Sequence, residues 1–176
     1  MKGKEFVNLV TNGKSDIIQT LLDILAETGS RYCLIGGLAV NAYVEPVVSL
    51  YLDIVAEVED VKTISKVAKE RGFRIERFEH SVNLTTEASD LRIQFQTDLR
   101  YQGFISDAET RDVLGYRMKV AKLEDVLRGK VWAYMDKERR KSKRQKDLAD
   151  ILRIIEAYPE FEKALPQSLQ DELGEG

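Results

Sequence analysis

With 176 residues, 43% of them hydrophobic, the chain is long enough to form a domain with its own core, which excludes general disorder. A formal net charge of −3 excludes a surface coated in basic residues for nucleic-acid binding, yet leaves room for a local basic patch. The single cysteine, Cys33, excludes disulfides and thiolate metal clusters; set in an apolar run, it reads as a small core residue.

The N-terminal MKGKEFVNLV carries no apolar signal region, and no stretch approaches membrane-spanning length. A cytoplasmic protein with no membrane partner is expected. The TNGKS segment (11–15) resembles the end of a phosphate loop, but Asn8 stands where that motif needs a glycine, so a turn is expected. Residues 16–28 read as a helix with Ile17, Leu21, Leu22 and Leu25 on one face, Ser15 as its cap and Gly29 ending it. Residues 32–35 form the first strand. Gly36 and Gly37 break it, and a short helix over 38–43 follows.

Residues 47–58 alternate in strand fashion, with Val48, Leu50, Leu52, Ile54, Ala56 and Val58 on one side and Ser49, Tyr51 and Asp53 on the other. Asp60 then caps a helix to residue 71. Glu57, Glu59 and Asp60 follow the strand and start that helix; they are not read as a metal cluster. Strands near 73–77 and 82–86 precede a clearer one in DLRIQFQTD (90–98). There Leu91, Ile93 and Phe95 oppose Asp90, Arg92, Gln94, Gln96 and Asp98. A hairpin around Gly115 joins 111–114 to 117–120.

Helices over 123–135 and 143–157 come next, and the acidic tail is expected to fray after about one more helical turn. Trp132 and Tyr134 read as core and rim, and His80, with no nucleophile or ligand beside it in sequence, as a surface or strand-end residue. The order implies an α+β fold in two parts: a mixed α/β core with an N-terminal helix over residues 1–121, and a helical part over 122–176.

A glycine pair directly after a strand lets backbone N–H groups approach an anion without interference from Cβ atoms. Joined over residues 31–158, LIGGLAVNAYVEP…LDIV and KVAKLEDVLRGKVWAYMD…KRQKDLADIL resemble the minimal nucleotidyltransferases, most closely the AbiEii/AbiGii toxin-type branch. The resemblance implies a nucleotidyltransferase-like mixed sheet with helices packed on it. It also implies a glycine turn, Asp-x-Asp on the next strand and a third acid on a later one. In that superfamily the acids hold two Mg²⁺ ions, which bind a nucleoside triphosphate and activate a hydroxyl.

Hard Mg²⁺ requires anionic oxygen, and alternate strand residues aim two carboxylates at one pocket. Here the matching places hold Val47, Ser49, Tyr51 and Asp53, so the first acid is Tyr51 and only the second, Asp53, remains. The third acid falls where Gln94 or Gln96 stands. Asp90 and Asp98 lie four residues from Gln94, roughly 13 Å along a strand, and are poor substitutes.

The site expected is therefore Asp53 as residual carboxylate and weak metal ligand, with Tyr51 and Gln94 at the positions of lost acids. Gly36, Gly37 and Ser49 are nucleotide-binding candidates. By the same resemblance so are Lys130 of KLEDVLRGK and Lys146, Asp147 and Asp150 of KDLAD. Lys146 and Asp150 also share a helical face, where they are able to pair with each other. Between these motifs, KERRKSKRQK (137–146) has seven basic residues in ten. A solvated charged segment is its simplest meaning; the functional one is contact with RNA phosphates through Arg139, Arg140, Lys141, Lys143 and Arg144.

Three functions compete: a fold that has lost standard catalysis while keeping nucleotide or RNA binding; an active Mg-dependent transferase acting on RNA, tRNA or protein, with Mg²⁺ and NTP as cofactors; and a non-enzymatic partner of an antitoxin-like protein.

Overall fold

The computed structural model describes residues 3–174. Helices α1 (Gly3–Val10) and α2 (Ile17–Glu27) lead into strand β1 (Tyr32–Ile35), helix α3 (Gly36–Val40) and strand β2 (Tyr51–Ala56). Helix α4 (Val58–Glu70) connects to β3 (Arg74–Arg77), β4 (Ser81–Thr86) and β5 (Ser89–Gln96). A 3₁₀ segment (Leu99–Phe104) precedes the hairpin β6 (Glu109–Val113) and β7 (Tyr116–Val120). Helices α5 (Leu123–Met135) and α6 (Lys141–Ala157), a second 3₁₀ segment (Pro159–Ala164) and α7 (Gln167–Gly174) complete the chain. No helix among the described residues is long and apolar enough to cross a membrane.

The strands form one mixed seven-stranded sheet in the order β3-β4-β5-β2-β1-β7-β6. β1 pairs antiparallel with β2 and parallel with β7, and β2 runs parallel to β5. The α+β expectation holds, with helices on both faces of the sheet. Because side chains alternate along a strand, Leu52 and Ile54 of β2 face away from Tyr51 and Asp53. Together with Leu34, Ile93, Phe95 and Leu84 they are almost fully buried. Each such apolar side chain contributes about 2 kcal/mol over leaving it in water. On the other face α3 packs against β2, α5 and α6, so the C-terminal helices lie over the polar side of β2. Cys33 is fully buried and its thiol is pushed up to about 12 by burial, as suits a core residue.

Several boundaries differ from expectation for identifiable reasons. Asp16, not Ser15, caps α2, its carboxylate accepting from the Gln19 amide at 3.0 Å. The short helix begins at Gly36 instead of residue 38, so the glycines form its first turn. Glu57 precedes α4, and Asp60 lies inside the first turn instead of capping it. β2 starts only at Tyr51, because Asn41 holds both polar groups of the Val47 backbone, Nδ2 to Val47 O at 2.7 Å and Oδ1 to Val47 N at 3.0 Å. Val47, Val48 and Leu50 are left 53%, 52% and 41% exposed. The tail is ordered as α7: Leu169 is buried, and Tyr134 donates to Glu172 at 2.7 Å.

Candidate nucleotide-binding cleft

The edge of the site is set by a turn that only glycine fits. β1 passes directly into α3 through Gly36 at φ +73°, in the left-handed region. A Cβ added there would collide with the Asp53 carboxylate. Strand register explains the proximity, since Asp53 of β2 lies opposite Ile35 on one side and beside Gln94 of β5 on the other. Gly37 is under no such constraint: its added Cβ would meet Asp150 Oδ2 at 3.6 Å, an ordinary contact.

A cavity of about 660 Å³ opens between this strand face and the C-terminal helices. It brings together Gly36, Gly37, Ser49, Tyr51, Asp53 and Gln94 from the sheet side. From the helical side come Lys130, Lys146, Asp147 and Asp150, joined by Arg139, Arg140 and Lys143 of the basic run. Gln96 lines it as well. Lys141 and Arg144 do not; Lys141 points to solvent and Arg144 donates to the Tyr134 carbonyl at 2.7 Å. Ser49 has a local task, since its hydroxyl accepts from the Tyr51 amide and donates to the Tyr51 carbonyl, at 3.1 and 3.2 Å. Asp98 caps the first 3₁₀ segment and pairs with Arg100, outside the cavity.

At the back of the cleft lies an ion network. Lys130 Nζ reaches Asp147 Oδ1 at 3.1 Å and Asp150 Oδ2 at 2.8 Å. Arg139 Nε holds the other oxygen of Asp147 at 2.7 Å, and Arg153 holds Asp150 Oδ1 at 2.7 Å. Asp147 is only 1% exposed and Lys130 8%. Burial alone pulls the Lys130 ammonium down, but Asp150 and Asp147 outweigh it and hold the group above the usual lysine range. Arg153 goes further, donating to Asn41 Oδ1 and to the Glu45 carbonyl, and so ties α6 to the loop before β2. Asp150 thus pairs with Lys130 and Arg153, not with Lys146 as helical spacing allowed. Sequence reading missed Arg153 and Asn41; the i,i+3 spacing of Asp150 and Arg153 was the available signal.

The front of the cleft is unbalanced. Lys130, Arg139 and Arg153 pair with the lining carboxylates Asp147 and Asp150, while Lys130 and Arg139 act on Asp53 only at longer range. Arg140, Lys143 and Lys146 line the same cavity and have no carboxylate partner among the described residues. Lys143 instead sets its ammonium 5.0 Å from the Tyr51 ring centroid, with the Arg92 guanidinium 5.8 Å from that centroid. Burial is the largest influence on Asp53 and raises its carboxyl above the usual range, against the opposing charges of Lys130, Arg139 and Lys143.

Such a donor set does not fit a pair of Mg²⁺ ions. The strand supplies a single carboxylate, flanked by a phenol and a side-chain amide. Among the described residues no group of three or more His, Cys, Asp or Glu is placed to hold a metal ion.

Fold and cleft together define a class: the chain has the nucleotidyltransferase fold. It superposes on ANT(2″)-Ia in complex with adenylyl-2″-tobramycin with a TM-score of 0.63 at 15% identity, covering 80% of this chain and 87% of that one. The lincosamide antibiotic adenylyltransferase LnuA, lincomycin-bound, gives 0.56 at 12% identity, over 81% and 98% of the two chains. A Thermotoga maritima protein described as a nucleotidyltransferase gives 0.53 at 14% identity, over 77% and 90%. No family model matches the chain, and no curated protein does.

Proposed function

We propose that this protein binds nucleotide phosphates on the cationic wall of its cleft and has lost standard two-metal nucleotidyl transfer. One observation carries the reading: Arg140, Lys143 and Lys146, three cations with no carboxylate partner among the described residues, share a cavity with a single strand carboxylate. Phosphoryl transfer in this fold depends on positioning and on neutralising phosphate charge. Here side chains supply the neutralising charge, while among the described residues no group of three or more acids is placed to grip divalent ions. RNA is the larger ligand of the same chemistry, its phosphates meeting the 139–146 wall and its affinity falling with salt. The surplus of positive charge on the cleft wall favours anionic ligands.

The likeness of residues 31–158 to the AbiEii/AbiGii-type branch supports a role in a toxin–antitoxin-like setting. The test is a melting-temperature titration with each NTP, followed by radiolabelled transfer from NTP to RNA. The expected result is a nucleotide-induced rise in melting temperature with no transfer. Transfer by the wild type that Asp53→Asn abolishes would establish an active one-carboxylate enzyme instead. No shift with any NTP or RNA, together with tight binding of an antitoxin-like protein, would establish the non-enzymatic reading.

A further inference from the structure

Tyr51 stands where the resemblance places the first metal-binding acid, and it is not merely an absence. Its ring lies under the ammonium of Lys143 and beside the guanidinium of Arg92, whose Nη1 lies 3.5 Å from the Tyr51 hydroxyl. A cation over a tyrosine face is held by the ring quadrupole, an attraction that grows as water is excluded. Lys143 comes from the first turn of α6, across the cavity from β2, so two separate elements converge on one point. Unlike Lys130 and Arg139, it spends its charge on no carboxylate among the described residues beyond acting at longer range on Asp53.

We propose that Lys143 is a tethered cation occupying the locus where a divalent ion would sit between residues 51 and 53, with Tyr51 as the residue that positions it. The proposal rests on the phosphate-binding reading for its ligand, a nucleoside polyphosphate, and adds the residue that replaces the metal. On this view the exchange of an acid for Tyr51 and the presence of Lys143 are one device. A carboxylate at 51 would pair with Lys143 before it recruited a metal. A fixed ammonium also makes phosphate binding indifferent to divalent ions, since its charge needs no dehydrated ion to deliver it.

Two measurements test this, and the first needs no nucleotide. Mn²⁺ is titrated against Tyr51→Asp and against Tyr51→Asp/Lys143→Gln, both shown to be folded by circular dichroism, with free Mn²⁺ read by electron paramagnetic resonance. The double variant is expected to bind Mn²⁺ at least about tenfold more tightly than the single one. Equal affinities would overturn the assignment of Lys143 to the metal locus. The second titrates ATP in EDTA against wild type, Lys143→Gln and Lys143→Arg. Lys143→Gln is expected to weaken ATP binding about tenfold, and Lys143→Arg to restore most of it. Unchanged affinity in Lys143→Gln overturns the role of Lys143 while leaving the phosphate-binding reading intact. Failure of the wild type to bind any nucleotide overturns that reading, and the Mn²⁺ titration still decides what occupies the locus.

Discussion

The back and the front of this cleft are built from the same residue types and do different things. At the back, Lys130 and Arg139 clasp a buried Asp147, and Asp150 joins Lys130 to Arg153. At the front, Arg140, Lys143 and Lys146 line the cavity with no carboxylate among the described residues to answer them. Both sets draw on α6 or the turn before it. Position in sequence therefore says little about role; what separates the two is whether an acid lies within reach. Paired and buried charges hold helices together, and unpaired charges over a cavity wait for an anion.

The comparison breaks most visibly if the back is not structural. Asp147→Ala strips Arg139 of its carboxylate and leaves Lys130 with Asp150 alone, and it is expected to cost about 3–5 kcal/mol in urea unfolding. A loss below 1 kcal/mol would move Asp147 into the ligand-binding set. At the front the balance reverses. The triple variant Arg140→Gln/Lys143→Gln/Lys146→Gln is expected to lose about a hundredfold in ATP affinity, about 2.7 kcal/mol, while stability stays within about 0.5 kcal/mol of wild type. Fluorescence titration and urea unfolding of the same sample read both halves.

Gly36→Ala sharpens the geometry between the two regions. It forces an L side chain into positive φ and against Asp53, with an expected loss of about 2 kcal/mol. Gly37→Ala, with only an ordinary contact to Asp150, is expected to be neutral or to gain up to about 1 kcal/mol from helix propensity.

The smallest effect belongs to Asp53. Its carboxyl is raised in the folded protein, so its contribution is most favourable below the ordinary carboxylate pKa and is lost as pH rises through the folded value. Asp53→Asn is therefore expected to be more stable than wild type at neutral pH, with the gain vanishing in acid. A gain that grew on acidification would reverse the sign assigned to that burial.

Much of the frame was legible because periodicity encodes it. The bounds of β1 and α5 follow directly from their apolar patterns, and the resemblance set the third acid's place at Gln94 or Gln96, of which Gln94 is the one paired with Asp53. The start of β2 was not legible. Val47, Val48 and Leu50 continue the alternation, yet Asn41 captures the Val47 backbone and takes it out of the ladder. The pairing of Asp150 was hidden for another reason: helical spacing offers Lys146 and Arg153 alike, and only the tertiary approach of Lys130 from α5 shows which cations the acid engages. Helix α7 was masked by its acidic composition, because its anchors, the buried Leu169 and the half-buried Leu173, are only two apolar residues among polar ones. What the sequence could not rank was the cations of the basic run, since unpaired charge is a property of neighbours in space.

The claim that side-chain cations, not a pair of metal ions, neutralise the ligand is tested most directly by calorimetric titration of wild-type protein with ATP, once in EDTA and once in Mg²⁺. The same affinity in both is the predicted result. Binding that appears only with Mg²⁺, with two ions bound per nucleotide, would contradict it.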